Sequence, residues 1–262
     1  MPRIYLDTLR INAEIQGPSA GPGVVFLHAL GTDLSIWSQV VACLPPALRI
    51  LRIDHRGHGK SDVPAPPYTM GALIRDTEQV IEHFGLKDTV VVGVSLGGLV
   101  AQGLAVKRLD LVRGMVLSNT AAKIGTPDMW QDRIVAIRAG GTEPYADGAM
   151  ERMFGRNFRK ANGMAAVRDL LTSTAPDGWI GCAAAISGTD FFTPTAGLNL
   201  PTLVIAGTND GSTPPDLVRE TAELIKGHQF HLMRGVGHLP MVEKPDDYAT
   251  LLVKFLKSIG HI

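Results

Sequence analysis

Short apolar runs rich in Val, Ile and Leu alternate along this chain with longer segments in which apolar residues recur at helical spacing. The apolar runs predict strands over residues 24–27, 48–53, 90–92, 115–117, 202–205 and 230–232. The segments between them predict helices over residues 36–44, 70–84, 96–106, 215–226 and 245–259. Strand and helix in turn indicate an α/β fold with a mostly parallel central sheet flanked by helices, because such a sheet is covered on both faces.

The alternation is interrupted between about residues 120 and 201. No strong strand pattern occurs there, whereas Thr126 and Pro127 begin a helix in the preferred order of cap and proline. Further helical patterns cover residues 143–154, 161–172 and 177–187. We therefore predict a helical cap at residues 121–199, inserted after the sixth strand of a core formed by residues 1–120 and 200–262. An amphipathic hairpin is expected at residues 3–16, at the sheet edge.

Composition excludes several classes of protein. Within 262 residues, 25 basic residues balance 25 acidic ones, so the chain lacks the positive charge that nucleic acids and anionic membranes attract. Two cysteines are too few for a disulfide framework, and the first residues carry no signal-peptide pattern, so a cytoplasmic location is expected. The uncharged stretch at residues 89–106 contains four glycines, which favours a buried strand and helix over a membrane span.

A serine follows the strand predicted at residues 90–92. Ser95 lies in a G-x-S-x-G pattern with glycines at positions 93 and 97, and a helical segment comes next. This is the pattern of a nucleophile elbow, in which the serine takes a strained backbone conformation and the glycines avoid collisions with neighbouring elements. The alternative is a glycine-rich junction with an incidental serine. The context of strand, turn and helix favours a nucleophile at Ser95.

An acid and a histidine follow in the order that this elbow requires. A serine hydroxyl reacts only when a base takes its proton and an acid orients that base, and the expected chain order is serine, acid, histidine. Asp210 follows the strand at residues 202–205, and His238 follows the last predicted strand in a glycine-rich loop. Taken singly, Asp210 could be a turn residue and His238 a surface histidine. Together with Ser95 they predict a catalytic triad.

Acyl transfer also needs two backbone N–H donors for the oxyanion. We expect one from Leu96, directly after the nucleophile, and the other from Leu30 in the loop after the first parallel strand, with His28 supporting that loop. His55 and His58 have a spacing that suggests a metal, but no acidic or cysteine ligand accompanies them at a recognised spacing. We therefore expect no metal.

These features together resemble the α/β-hydrolase superfamily over nearly the whole chain. Within it, residues 30–37, 117–125 and 129–134 resemble the 3-oxoadipate enol-lactonases, which hydrolyse the enol-lactone of the β-ketoadipate pathway for aromatic compounds. The resemblance implies the α/β-hydrolase fold, hydrolysis of a small lactone and no cofactor. The chain departs from that family at Leu96, where methionine is frequent, and at His28-Ala29, where a serine-containing pair is frequent. Both departures keep the backbone donors.

The lactone implied by the resemblance carries a carboxylate, so a cation is expected at the pocket. On a helix that begins near Pro127, Trp130 shares one face with apolar residues, and Arg133 and Arg138 lie on the two flanks of that face. An arginine beside an apolar stripe can hold a carboxylate in a bidentate pair. Alternatively, both arginines only cover the helix surface with their apolar stems.

The sequence thus predicts a cofactor-independent serine hydrolase that opens a small carboxylated lactone through an acyl-enzyme. A broad carboxylesterase, a perhydrolase or a carbon–carbon hydrolase would use the same three residues. A ligand sensor with slow turnover and a metal-dependent lactonase are alternatives of other classes. No nucleic acid or membrane partner is expected, and the sequence leaves the oligomeric state open.

Overall fold

A mixed sheet forms the centre of the molecule. In the computed structural model, which describes residues 3–6, 9–161 and 163–262, the strands are β1 (Arg3–Leu6), β2 (Leu9–Gln16), β3 (Gly23–Leu27), β4 (Arg49–Ile53), β5 (Thr89–Val94), β6 (Val112–Ser118), β7 (Thr202–Gly207) and β8 (Gln229–Met233). They are arranged in the order β1-β2-β4-β3-β5-β6-β7-β8. β2 pairs antiparallel with β1 and β4, and the other pairings are parallel. The prediction of a mostly parallel central sheet is confirmed.

The position of each strand explains its sequence pattern. Every residue of β3, β5 and β7 is buried, so these strands appear in the sequence as continuous apolar runs. β8, at the sheet edge, is mostly exposed, which accounts for its weaker apolar signal. β1 and β2 form the antiparallel pair expected at the opposite edge. The residues that connect them, 7 and 8, lie outside the described part of the chain.

Helices cover both faces of the sheet and form an insertion. They are α1 (Ser38–Ala42), α2 (Met70–His83), α3 (Leu96–Lys107), α4 (Pro127–Gly140), α5 (Glu143–Met153), α6 (Arg156–Lys160), α7 (Ala165–Ser173), α8 (Pro176–Ser187), α9 (Phe192–Ala196), α10 (Pro215–Glu223), α11 (Pro240–Glu243) and α12 (Pro245–Ser258). The predicted helix at residues 36–44 is divided into a 3-10 turn, Leu34–Trp37, and α1. The uncharged stretch forms β5 and α3, and none of the described helices has the length and apolarity of a membrane span.

The insertion between β6 and β7 consists of α4 to α9, where the sequence predicted a helical cap. Helix α4 begins as expected, because the hydroxyl of Thr126 accepts a hydrogen bond from the Met129 N–H and Pro127 is its first residue. The boundary predicted for residues 161–172 is wrong, since α7 begins only at Ala165 after the short α6. Residue 162, within that prediction, lies outside the described residues. The proposed cap boundaries, 121–199, enclose all of these helices.

Candidate active site

Ser95 lies on a tight turn between β5 and α3. Its backbone has φ 55° and ψ −116°, a region that residues with a side chain rarely occupy. A Cβ on Gly93 would collide with the Gly97 carbonyl, and a Cβ on Gly97 would collide with the Leu27 carbonyl at the end of β3. The two glycines therefore permit the turn, as the G-x-S-x-G pattern predicts. Ser95 faces a cavity at the carboxyl edge of the sheet.

Asp210 is buried in the loop that follows β7, and both of its carboxylate oxygens accept hydrogen bonds. Its Oδ1 accepts from the backbone N–H groups of Ser212, at 2.7 Å, and Thr213, at 3.0 Å. Its Oδ2 accepts from the Thr213 hydroxyl at 2.7 Å and from Asn119 Nδ2 at 2.9 Å. Burial raises the pKa of Asp210, but the charge of His238 and the hydrogen bonds outweigh it and hold the pKa below its ordinary value. The carboxyl is therefore ionised at neutral pH.

His238 is joined to Asp210 directly. Its Nδ1 lies 2.8 Å from Asp210 Oδ2. Because an ionised carboxylate only accepts hydrogen bonds, Nδ1 carries a proton in this pair and the neutral imidazole keeps Nε2 free to accept another. His238 is 4% exposed and lines the same cavity as Ser95. The structure thus brings the three residues of the predicted triad to one end of the sheet, with the acid and the base in hydrogen-bond contact.

Asn119 is a site residue that the sequence analysis missed. It follows β6 with φ 45°, and its side chain is fully buried. Its Nδ2 donates to Asp210 Oδ2 at 2.9 Å and to the Gly237 carbonyl at 3.1 Å, while its Oδ1 accepts from the Ser118 hydroxyl. Asn119 therefore joins the loop of the acid to the loop of the histidine. A polar residue directly after an apolar strand, within the family-like run 117–125, was the available signal.

The two predicted oxyanion donors have different environments. Leu96 is the first residue of α3, so its N–H has no acceptor within the helix. Leu30 lines the cavity, and no hydrogen bond from its N–H is found among the described residues. The next residue, Gly31, has φ 74° and donates its N–H to Nε2 of His58 at 3.0 Å. This contact fixes the loop on which Leu30 lies.

Three buried histidines lie beneath that loop. His28 lies 4.4 Å from His55 and 5.4 Å from His58 between ring centroids. His28 Nε2 accepts from the His55 N–H at 2.9 Å, and its Nδ1 faces the Ala29 carbonyl at 2.8 Å. Burial, reinforced for His28 and His55 by neighbouring histidines, lowers all three pKa values: that of His28 falls well below its usual range, that of His55 to about 3 and that of His58 to about 4. Neutral rings are therefore required.

The hydrogen bonds of this histidine cluster leave little capacity to bind a metal. Two of the ring nitrogens accept backbone N–H groups, which uses the lone pairs that a metal would need. Within residues 3–6, 9–161 and 163–262, no group of three or more His, Cys, Asp or Glu side chains is arranged to hold a metal ion. The cluster instead supports the loop after β3, the role predicted for His28 alone.

The cavity at Ser95 has a volume of about 90 Å³ and lies between the sheet edge and the cap. Trp130 lines it from α4, with its indole N–H donating to the Ile124 carbonyl at 2.6 Å. The remaining wall is largely apolar and is contributed by cap residues that include Ile124, Met129, Ala149, Met153, Leu171 and Trp179. A concave, mostly apolar wall with a few polar groups is typical of a small-molecule site.

Two arginines add positive charge to this cavity. The Arg133 guanidinium lies 5.0 Å from the Trp130 ring, and that of Arg152 lies 5.1 Å from the Tyr145 ring. Neither forms an ion pair within the described part of the chain. Arg152, from α5, was missed by the sequence analysis.

Arg138, in contrast, is exposed and does not line the cavity, so the expectation for it needs correction. It directly follows Ile137, which occupies the buried side of α4. One step along a helix turns a side chain by about 100°, which directs Arg138 to solvent.

Comparison with known proteins gives matches along nearly the full chain. Residues 22–245 match the family described as the alpha/beta hydrolase fold. The chain is 30% identical to 3-oxoadipate enol-lactonase 1 of Acinetobacter baylyi, over 95% of this chain and 94% of that protein. It superposes on the enol-lactonase from Burkholderia xenovorans LB400 with a TM-score of 0.94 and 32% identity, over 98% and 100% of the two chains. It is 25% identical to a pimeloyl-[acyl-carrier protein] methyl ester esterase of Yersinia pseudotuberculosis, over 90% and 93%.

Proposed function

Since the chain belongs to the α/β-hydrolase family, we propose that it is a serine hydrolase that opens a small carboxylated lactone, with 3-oxoadipate enol-lactone as its substrate. The observation that carries this proposal is the hydrogen bond between His238 and Asp210 beside a strained Ser95, in a cavity to which two arginines contribute. The similarity to a 3-oxoadipate enol-lactonase and to another enol-lactonase supports the choice of lactone. The free cysteines, Cys43 and Cys182, support a reducing compartment, and we propose the cytoplasm.

The first half of the reaction forms an acyl-enzyme. His238 Nε2 takes the proton of the Ser95 hydroxyl, and Ser95 Oγ attacks the lactone carbonyl carbon. The N–H groups of Leu96 and Leu30 stabilise the negative charge that develops on the carbonyl oxygen. The ring C–O bond then breaks, and His238 returns its proton to the departing enol oxygen. Asp210 stabilises the positive imidazole throughout.

The second half releases the acid. His238 takes a proton from water, the hydroxide oxygen attacks the ester carbon on Ser95, and the same N–H groups hold the oxyanion. The bond to Ser95 Oγ breaks, and the serine recovers its proton from His238. The ring-opened product then carries a second carboxylate, which forms at the carbon released from Ser95 Oγ.

Charge supports the carboxylated lactone over a neutral ester. No acidic residue is found among the cavity-lining residues that the structure describes, whereas Arg133 and Arg152 are both present. Unpaired guanidinium groups beside apolar walls bind carboxylates strongly, because the pair forms away from bulk water. The mostly apolar wall with these two cations suits a small ring that carries a carboxylate.

The test compares substrates on one purified protein. Hydrolysis of 3-oxoadipate enol-lactone is measured beside p-nitrophenyl acetate and p-nitrophenyl octanoate. We expect kcat/KM to be highest for the lactone and lowest for the octanoate. A protein that prefers the octanoate contradicts the proposed substrate but keeps the proposed chemistry, whereas one that hydrolyses none of the three contradicts both.

A further inference from the structure

A short segment of the cap is bonded to the loops of both the acid and the base. Near the end of α5, the carbonyl of Arg152 accepts a hydrogen bond at 2.9 Å from the N–H of Gly211, the residue directly after Asp210. The carbonyl of the next residue, Met153, accepts the N–H of His238 at 2.6 Å. The same two cap residues also line the cavity. The position of this segment and the positions of the triad loops are therefore tied together.

Glu243 closes this connection from the other side. It is the last residue of α11, the short helix that directly follows the loop carrying His238 (residues 234–239, the histidine loop). Its Oε1 accepts the N–H of Gly237 at 2.6 Å, and its carboxylate accepts the N–H of Gly155 in the cap at 3.2 Å. One carboxylate thus joins Gly237, the residue before His238, to Gly155, two residues after Met153.

The backbones of the cap and of the histidine loop lie very close together at this contact. A Cβ on Gly237 would collide with the Met153 carbonyl, and a Cβ on Gly155 would collide with the Gly235 carbonyl. Glycines at both positions allow the cap and the histidine loop to meet, and the backbone groups left without partners then find them in Glu243.

The carboxylate is also costly to keep in this place. Burial raises the pKa of Glu243 above its ordinary value, although the hydrogen bonds from Gly237 and Gly155 oppose the shift. Among the described residues Glu243 forms no ion pair, so its two backbone partners provide its compensation. A partly buried charge that holds only backbone N–H groups is better explained by what it positions than by stability.

We propose that Glu243 is a positioning residue that fixes His238 through Gly237 and locks the Arg152–Gly155 segment of the cap onto the histidine loop. It touches neither the substrate nor the reacting atoms. This inference rests on the proposed serine-hydrolase function, but not on the identity of the lactone. Its reach to two N–H groups, rather than its charge, is what the role requires.

Two variants separate reach from charge. Glu243→Gln keeps the length of the side chain and one acceptor oxygen, whereas Glu243→Asp keeps the charge but shortens the reach. We expect Glu243→Asp to lower kcat on p-nitrophenyl acetate by about 10- to 100-fold with little change in KM, because small displacements of a catalytic group are costly. Glu243→Gln should lose less than about 10-fold, since the amide oxygen still accepts from Gly237. Glu223→Asp, on the exposed end of α10, is the matched control.

The order of the kcat values tests the positioning role, and urea unfolding confirms that each variant is folded. A kcat order of wild type, then Glu243→Gln, then Glu243→Asp supports the positioning role. The role is overturned if Glu243→Asp equals or exceeds Glu243→Gln, or if it matches Glu223→Asp, because a purely structural residue would change the unfolding midpoint alone. A wild type inactive on both the ester and the lactone overturns the proposed function, and the inference with it.

Discussion

Replacing His58 with glutamine should make the protein less sensitive to acid. His58 Nε2 accepts the Gly31 N–H in the loop after β3, so only the neutral ring fits, and burial lowers its pKa to about 4. In acid, the unfolded chain therefore binds a proton at His58 that the folded chain does not bind, and this favours unfolding. The stabilising contribution is complete above the unfolded pKa of about 6.5 and is lost as the pH falls toward the folded value. A glutamine oxygen can accept the same N–H without titrating.

The magnitude follows from the two pKa values. Between pH 7 and pH 5 the unfolded His58 takes up about 0.7 proton, while the folded residue takes up about 0.1. At 1.36 kcal/mol per pKa unit, this one residue accounts for about 2 kcal/mol of lost unfolding free energy over that range. His28 and His55 act in the same direction, because their pKa values are also lowered. The nearby Asp54, whose pKa is raised by burial, acts in the opposite direction as it takes up protons.

Urea unfolding followed by tryptophan fluorescence measures this effect at pH 7 and pH 5. The other titrating groups are present in both proteins, so the difference between wild type and His58→Gln reports the titration of His58 together with its smaller effect on the pKa values of His28 and His55. We expect the loss of unfolding free energy on acidification to be smaller by about 2 kcal/mol in the variant. Equal losses in the two proteins would refute the reasoning, because His58 would then titrate alike in the folded and unfolded states.

Three further predictions concern the active site. Asn119→Ala removes a hydrogen-bond donor to the buried Asp210 carboxylate, a bond worth about 1.5–3 kcal/mol. The kcat on p-nitrophenyl acetate should therefore fall about 10- to 100-fold, and an unchanged kcat would show that Asp210 is held in place without Asn119. Arg133→Met should raise KM for the lactone at least about 10-fold. Arg138→Met, on the exposed face of the same helix, is the control, and equal effects of the two substitutions would show that Arg133 does not bind the substrate carboxylate. Gly93→Ala should prevent stable folding, measured by soluble yield and melting temperature, and a native melting temperature would contradict the tight turn.

Much of the fold could be predicted because buried parallel strands leave a clear mark on a sequence. β5 and β7 are apolar on both faces and follow helical segments, so their type and order are readable. The ends of short cap helices are not readable in this way. The helix predicted from residue 161 begins at Ala165, because apolar spacing does not specify where the chain turns between α6 and α7.

The triad candidates could be found because their chemistry restricts residue type, chain order and position after a strand. Asn119 and Glu243 were not identified, since each acts through hydrogen bonds to backbone or carboxylate groups that are distant in the chain. The same holds for Arg152, whose place in the cavity depends on how α5 packs. Periodicity placed Arg133 and Arg138 on two flanks of α4, but only tertiary packing decides which flank meets the cavity.

The proposed mechanism requires Ser95 to carry the acyl group during turnover. Acid quenching within milliseconds of mixing with p-nitrophenyl acetate, followed by peptide mass spectrometry, measures this directly. We predict one acetyl group per protein, located on the peptide that contains Ser95, with none in Ser95→Ala and no turnover by that folded variant. Turnover that persists in Ser95→Ala, or an acetyl group found only on another residue, would contradict the central claim.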